Sequence, residues 1–271
     1  MGIDRREFIR IAGLSTLLGL GGKGAFELLA PGRVEAEILP EPNALKAKRW
    51  AMVVNQKKLD DETAKRCIAA CHRVHNVPDY LNPPDDKLKL DPEVANRYQI
   101  KWIWTDHFHN VFPGEEQANL SEEVEHINFL TLCNHCNNPP CVRVCPTKAT
   151  FQRDDGIVMM DMHRCIGCRF CMAGCPFGAR SFNWRDPRPY IKPPLYPGYP
   201  TREIGVVEKC TFCAERLAQG LMPACVEESN GALIFGDLQD DKSQVREYLR
   251  KYFTIRRKAY LGTNPQVYYI V

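Results

Sequence analysis

The sequence predicts an α+β fold built from tandem small units, joined by long loops and closed by extended terminal segments. Three observations carry that expectation. Thirteen cysteines fall within 271 residues, more than packing needs, and most of them cluster in runs. The frame Cys-Pro-x-x-Ala occurs twice, at Cys145 to Ala149 and Cys175 to Ala179, which marks an internal repeat. Between the copies, Asp155-Gly156 is a type I′ hairpin signal flanked by Thr150-Phe151 and Ile157-Val158. Each unit is therefore a cysteine loop, a short helix begun near the last cysteine, and a hairpin strand.

The totals set bounds on what the chain does. Hydrophobic residues at 44% and charged residues at 25% suffice for a packed core, and a net charge of +3 is too small to argue for nucleic acid. Gly at 18 and Pro at 20 favour loop-rich connections. The odd cysteine count leaves one thiol over from any pure disulfide framework.

The first 36 residues read as an address. Asp4-Arg5-Arg6-Glu7-Phe8-Ile9-Arg10 precedes the apolar run Ile11 to Gly22, resembling a twin-arginine signal read by the export system for folded proteins. Lys23 ends the run short of the roughly 20 apolar residues a spanning helix needs. The expected location is periplasmic or on the extracytoplasmic membrane face, with the signal cleaved near Val34-Glu35-Ala36 or retained as an anchor. Beyond it, residues 45–125 and 200–271 form an expected outer module, with 126–199 inserted as a second module. Lys242 to Tyr252 reads as a charged helix and Val267 to Val271 as an extended tail.

Cysteine spacing identifies the chemistry. Cys165-x2-Cys168-x2-Cys171-x3-Cys175-Pro176 is the bacterial ferredoxin run, in which the fourth cysteine serves the other cluster. Cys133-x2-Cys136-x4-Cys141-x3-Cys145-Pro146 is the same run with two extra residues in its second gap. Crossing the fourth ligands gives a first quartet, Cys133, Cys136, Cys141 and Cys175. The second quartet is Cys165, Cys168, Cys171 and Cys145. Each is expected to hold a [4Fe-4S] cluster. Structural zinc also uses Cys-x2-Cys pairs, but not two runs of four each closed by Cys-Pro.

The outer cysteines are incomplete. If Cys67 and Cys71 close a run, its first two members fall at Asp61 and Ala64. The late group Cys210-x2-Cys213-x11-Cys225 would have its fourth member at Ser229. Crossing gives a complete third quartet, Cys71, Cys210, Cys213 and Cys225. The reciprocal site, Asp61, Ala64, Cys67 and Ser229, is lost. Three [4Fe-4S] clusters on twelve cysteines follow, with Cys67 left over. Two rivals compete for this region: haem attachment, since Cys67-x3-Cys71-His72 is one residue longer than Cys-x-x-Cys-His, and a Cys67–Cys71 disulfide. His135 and His163 are expected to hydrogen-bond to cluster sulfurs or backbone. His107 and His109 are expected to fill plain core or surface roles, as the reading preferred to facing a partner's cofactor.

Over about residues 45 to 271 the chain resembles the four-cluster ferredoxin-like subunits that pair with molybdopterin enzymes or polytopic quinone-reactive membrane subunits. The resemblance rests on Cys-Asn-His-Cys-Asn-Asn-Pro-Pro-Cys (133–141), Cys-Ile-Gly-Cys-Arg-Phe-Cys (165–171) and Cys-Thr-Phe-Cys (210–213). Within it, Cys-His-Arg-Val-His-Asn-Val-Pro (71–78), Phe-Asn-Trp-Arg-Asp-Pro-Arg-Pro (182–189) and the lost site are similar to the DsrO family, exported subunits of the DsrMKJOP complex of sulfur metabolism. That narrower resemblance implies a DsrP-like quinone-reactive membrane subunit and a DsrJ-like multihaem cytochrome c as partners. The alternative is the iron–sulfur subunit of a molybdopterin oxidoreductase. The departures at Asp61, Ala64 and Ser229 argue against four clusters.

A [4Fe-4S] cluster on four thiolates has no open position for substrate, and no nucleophile–base pair, phosphate loop or dinucleotide fingerprint is present. The sequence thus predicts a relay of single electrons with no small-molecule substrate of its own. Two aromatic and Arg-rich segments, Trp102 to Phe112 and Trp184 to Tyr199, are candidates for partner docking or for covers over the clusters.

Overall fold

The computed structural model describes residues 41–114 and 125–271. The twin-arginine segment lies outside the described residues. The first strand, β1 (Trp50–Asn55), reads Trp-Ala-Met-Val-Val-Asn and is buried throughout. A capped helix follows, α1 (Asp61–Val74), whose N-terminal Thr63 N–H donates to the Asp60 carboxylate at 2.6 Å. Asp61 and Glu62 in its first turn and His72 and Arg73 in its last suit the helix dipole. Its buried stripe is Thr63, Ala64, Cys67, Ala70, Cys71 and Val74, which sets Cys67 and Cys71 one turn apart on the inward face.

Next come α2 (Pro92–Tyr98), β2 (Ile103–His107), α3 (Phe108–Val111) and β3 (Asn128–Leu132). Two segments with the same order of elements follow. The first comprises α4 (Pro140–Arg143), β4 (Thr150–Gln152) and its partner β5 (Val158–Met160). The second comprises α5 (Phe170–Ala173) and β6 (Ser181–Phe182), paired with β7 (Val207–Glu208). The chain ends with α6 (Ala214–Ala218), α7 (Ala224–Glu227), β8 (Leu233–Asp237), α8 (Gln244–Lys251) and β9 (Val267–Ile270). The content is mixed helix and strand, as an α+β fold requires.

β1 is the centre of a three-stranded sheet, antiparallel to β8 and parallel to β9. The period of two splits its side chains between faces. Trp50, Met52 and Val54 enter the main core, while Ala51 and Val53 pack with Val245 of α8. The expected tail is thus a strand, anchored because its pattern supplies apolar residues to both faces. Two further pairings cross the expected module boundaries: β2 with β3, and β6 with β7.

Two local expectations need correction. The 150–160 hairpin forms, with Thr150 opposite Met160 and Gln152 opposite Val158, but its turn is not type I′. Gly156, at φ +85°, has positive φ whereas Asp155 does not. The turn runs from Arg153 to Gly156, closed by the Gly156 N–H donating to the Arg153 carbonyl, so glycine takes the left-handed position alone. The repeat helices also start earlier than expected. α4 and α5 carry the third cysteine of each run and end before the fourth, because Pro139 and Arg169 act as their N-caps.

Candidate electron-transfer site

The Cys-x2-Cys loop that opens each of the three cysteine groups has the same backbone kink. The residue ahead of its second cysteine has positive φ in all three: His135 at 41°, Gly167 at 70° and Phe212 at 53°. Successive backbone N–H groups at such a kink turn toward one point, which is how a peptide loop cradles an anion. His135 and Phe212 show that the kink alone does not demand glycine, but close packing demands it at 167. A Cβ there would lie 2.5 Å from the Gly205 carbonyl oxygen.

The structure brings the twelve thiols together in three groups. One cavity is lined by Cys133, Cys136, Cys141 and Cys175, with Pro176 and Arg180 on its wall. A second is lined by Cys145, Cys165, Cys168 and Cys171, with Thr150 and Met160. The third group is buried outright: Cys71, Cys210, Cys213 and Cys225. Cys71 comes from α1, Cys225 from α7, and the other two from the loop that opens α6. Burial pushes the Cys71 thiol well up, and the neighbouring Cys213, Cys210 and Cys225 push it further. Cys136 is pushed up to about 12 by burial and then by Cys133. Four buried thiols converging on one point repel one another once ionised, so these sets suit a cationic metal core that takes them as thiolates. The donors fit [4Fe-4S] clusters.

Cys67 stands apart. It is 0% exposed, and its Sγ–H donates to the Cys225 carbonyl at 3.2 Å. Ser229 is equally buried, with its hydroxyl donating to the Val226 carbonyl and accepting the Leu233 N–H. Ala64 is buried in the core, whereas Asp61 is exposed and accepts from Asn128. Side chains with their own partners therefore occupy the reciprocal position. All thirteen cysteines are free in the structure.

The first quartet adjoins both others. Cys171 of the second senses Cys141, and Cys210 of the third senses Cys133. Between the first and third quartets, the His135 ring stacks on Phe212 with centroids 3.7 Å apart. His135 Nδ1 accepts the Val158 N–H, which places the ring proton on Nε2. Burial holds its pKa well below the ordinary value, so the ring is neutral. Nε2 is buried with no partner among the described residues. His163 is exposed, and among the described residues its backbone N–H is bonded to Asp161 while its ring has no hydrogen-bond partner. His107 and His109 are surface residues.

Spacing alone missed the polar shell of the third quartet. His75 Nε2 pairs with Glu215 at 2.7 Å, and its Nδ1 lies 2.7 Å from the Cys71 carbonyl. His75, Cys213 and Glu215 bring their ligand atoms within 4.8 Å of one another. Burial opposes ionisation of Glu215, but the bond to His75, the charge of His75, a backbone N–H and the Thr211 hydroxyl together outweigh it and hold the carboxyl below its usual range. Behind them, Arg202 donates to Glu208 at 2.6 Å, with both side chains 0% exposed, and to the His75 and Asn76 carbonyls. Trp102 Nε1 and Asn183 also donate to Glu208. Trp102, Phe108 and Phe112 are buried in the core, while Thr105, His107, His109 and Asn110 of the same segment are exposed. Trp184, Arg185 and Arg188 are exposed.

The second quartet is nearest the surface. Cys145, Cys165 and Cys168 are partly exposed, and Ile166 and Phe170 beside them are 67% and 60% exposed. No helix among the described residues is long and apolar enough to cross a membrane.

Residues 124–188 match the model of the 4Fe-4S dicluster domain. Over the whole chain, the sequence is similar to the Hdr-like menaquinol oxidoreductase iron-sulfur subunit 1 of Archaeoglobus fulgidus, 36% identical across 98% of this chain and 97% of the relative. The menaquinone reductase iron-sulfur cluster-binding subunit of Nitratidesulfovibrio vulgaris is 32% identical across 82% of this chain and 88% of its own length. The NrfC homolog of Haemophilus influenzae is 32% identical across 93% of this chain and 92% of its own length.

Proposed function

This protein belongs to the iron–sulfur electron-transfer subunits of membrane quinone oxidoreductases, and from that premise we propose that it is a DsrO-like relay. It carries single electrons through three [4Fe-4S] clusters between a DsrP-like quinone-reactive membrane subunit and an exported DsrJ-like multihaem cytochrome c, in sulfur or sulfite metabolism. The observation that carries the reading is the convergence of twelve thiols in three adjoining quartets, with Cys67 and Ser229 engaged elsewhere. Cys133, Cys136, Cys141 and Cys175 would hold one cluster, Cys165, Cys168, Cys171 and Cys145 the next, and Cys71, Cys210, Cys213 and Cys225 the third.

Bound there, the clusters supply one-electron transfer without an open coordination position. The protein's part is to exclude water and fix the thiols. The partly exposed second quartet suits exchange with a partner, and exposed Ile166 and Phe170 suit docking. The twin arginines support the exported location.

The test is anaerobic purification of the native complex, with iron counting, subunit identification and reduction by menaquinol. The expected result is about 12 iron on this chain from the ligand count, a haem-bearing and a polytopic partner, and bleaching of the cluster absorbance by quinol. About 16 iron would refute the lost site. A molybdopterin subunit in place of the cytochrome would favour the alternative assembly.

A further inference from the structure

Two buried cations lie between the quartets, and neither belongs to a ligand motif. Arg180, five residues past Cys175, is 5% exposed. Its side chain lines the first cavity, while its Nη1 donates at 3.1 Å to the hydroxyl of Thr150, on the wall of the second. Its Nη2 is buried with no hydrogen-bond partner among the described residues. Burial opposes its charge, but Cys141, Cys171 and Cys133 outweigh that and hold the guanidinium above its ordinary value. These cysteines come from both quartets.

Lys209 repeats the arrangement on the other side. It is 1% exposed, and its ammonium donates to the carbonyls of Val158 and Cys210. Val158 lines the first cavity, and Cys210 belongs to the third quartet. Burying a cation without a carboxylate partner is costly, and a few carbonyls or one hydroxyl do not offset it. Anions of another kind must face these groups. Four thiolates around an iron–sulfur core are such an anion, and each added electron makes it more negative.

We propose that Arg180 and Lys209 are fixed counter-charges interleaved with the clusters, each setting the reduction potentials of the two clusters it separates. This rests on the three-cluster reading. Nearby charge and hydrogen bonds to sulfur set cluster potentials. A cation shared by two clusters also lessens the penalty that one reduced cluster imposes on the next, so an electron can advance along the row.

The test is an EPR-monitored redox titration of the full-length holoprotein, wild type against Arg180→Gln and Lys209→Gln, with iron counted in each sample. Ligand variants Cys141→Ser, Cys168→Ser and Cys71→Ser assign the signals. In R180Q the first and second clusters should become harder to reduce by about tenfold in the equilibrium constant, which is 59 mV for one electron, while the third stays put. In K209Q the first and third should shift and the second stay put. Arg180→Lys, which keeps the charge, should recover most of the potential. Unmoved potentials in iron-replete R180Q and K209Q would overturn the proposal, as would a uniform shift of all three clusters. Iron loss from R180Q that R180K does not prevent would mark Arg180 as a structural brace and overturn it too. A wild-type titration without three one-electron steps would overturn the three-cluster reading, and the proposal with it.

Discussion

Cys67 and Cys71 sit one turn apart on the same buried face of α1, yet replacing each with alanine should have opposite consequences. Cys71→Ala removes one of four thiols from the third quartet, so that cluster is lost or opened. Iron should fall from about 12 per chain to between about 8 and about 11, depending on whether the whole cluster or a single iron leaves. Cys67→Ala removes one buried sulfur and its weak bond to the Cys225 carbonyl. That costs about 1 kcal/mol in lost burial and residual cavity and leaves iron unchanged. Cys67 also has a signature in alkali. Burial pushes the Cys67 thiol up to about 11, from an ordinary 9.0. As pH rises, the unfolded chain loses this proton first. The stability from the neutral thiol is therefore complete below about pH 9 and is lost between 9 and 11. Cys67→Ala should lack that part of the alkaline loss. The assays are colorimetric iron on anaerobically purified protein, EPR of oxidised and reduced samples, and denaturation followed across pH. Equal iron loss from both variants would refute the assignment and favour haem or a disulfide, and a positive haemochrome test would decide for haem. A [3Fe-4S] signal traced to Cys67 would equally refute it.

Arg5→Lys with Arg6→Lys should leave the protein in the cytoplasm with its clusters intact, because the arginines address a receptor and do not contribute to folding; normal export, followed by cell fractionation, would rule out that role. Arg202→Met strands the Glu208 carboxylate, 0% exposed, without its cation. It should cost about 3 to 5 kcal/mol, read from the denaturant midpoint for cluster bleaching, and adding Glu208→Gln should recover part of that loss. Reversing the charge of exposed Arg185 and Arg188 should weaken partner capture without lowering iron. Arg188 borders a groove that also reaches Cys165 and pairs with Glu203 at 2.7 Å. Retained partners would make this segment a cover, and lost iron would make it core.

The thiol groupings were legible because ligand loops are local. Two-residue gaps and a closing Cys-Pro impose a loop shape whatever surrounds it, and the crossing rule then matches Cys175 with Cys133 and Cys145 with Cys165. The lost outer site is argued by subtraction, since Asp61, Ala64 and Ser229 break the cysteine pattern together. The type I′ assignment failed because a dipeptide does not specify turn length: the Thr150–Met160 register leaves room for a longer loop, and Gly156 takes the left-handed position alone. Trp102 to Phe112 has the composition of an interface, but β2 pairs with β3 and turns Trp102 inward to Glu208. Composition states what a side chain can do, and only packing decides which way it faces. Arg180, Lys209, His75 and Glu215 belong to the same class. Each acts on cysteines partly remote in sequence, through contacts that exist only once α1, the repeats and α6 have folded together, because charge acts through space and not along the chain.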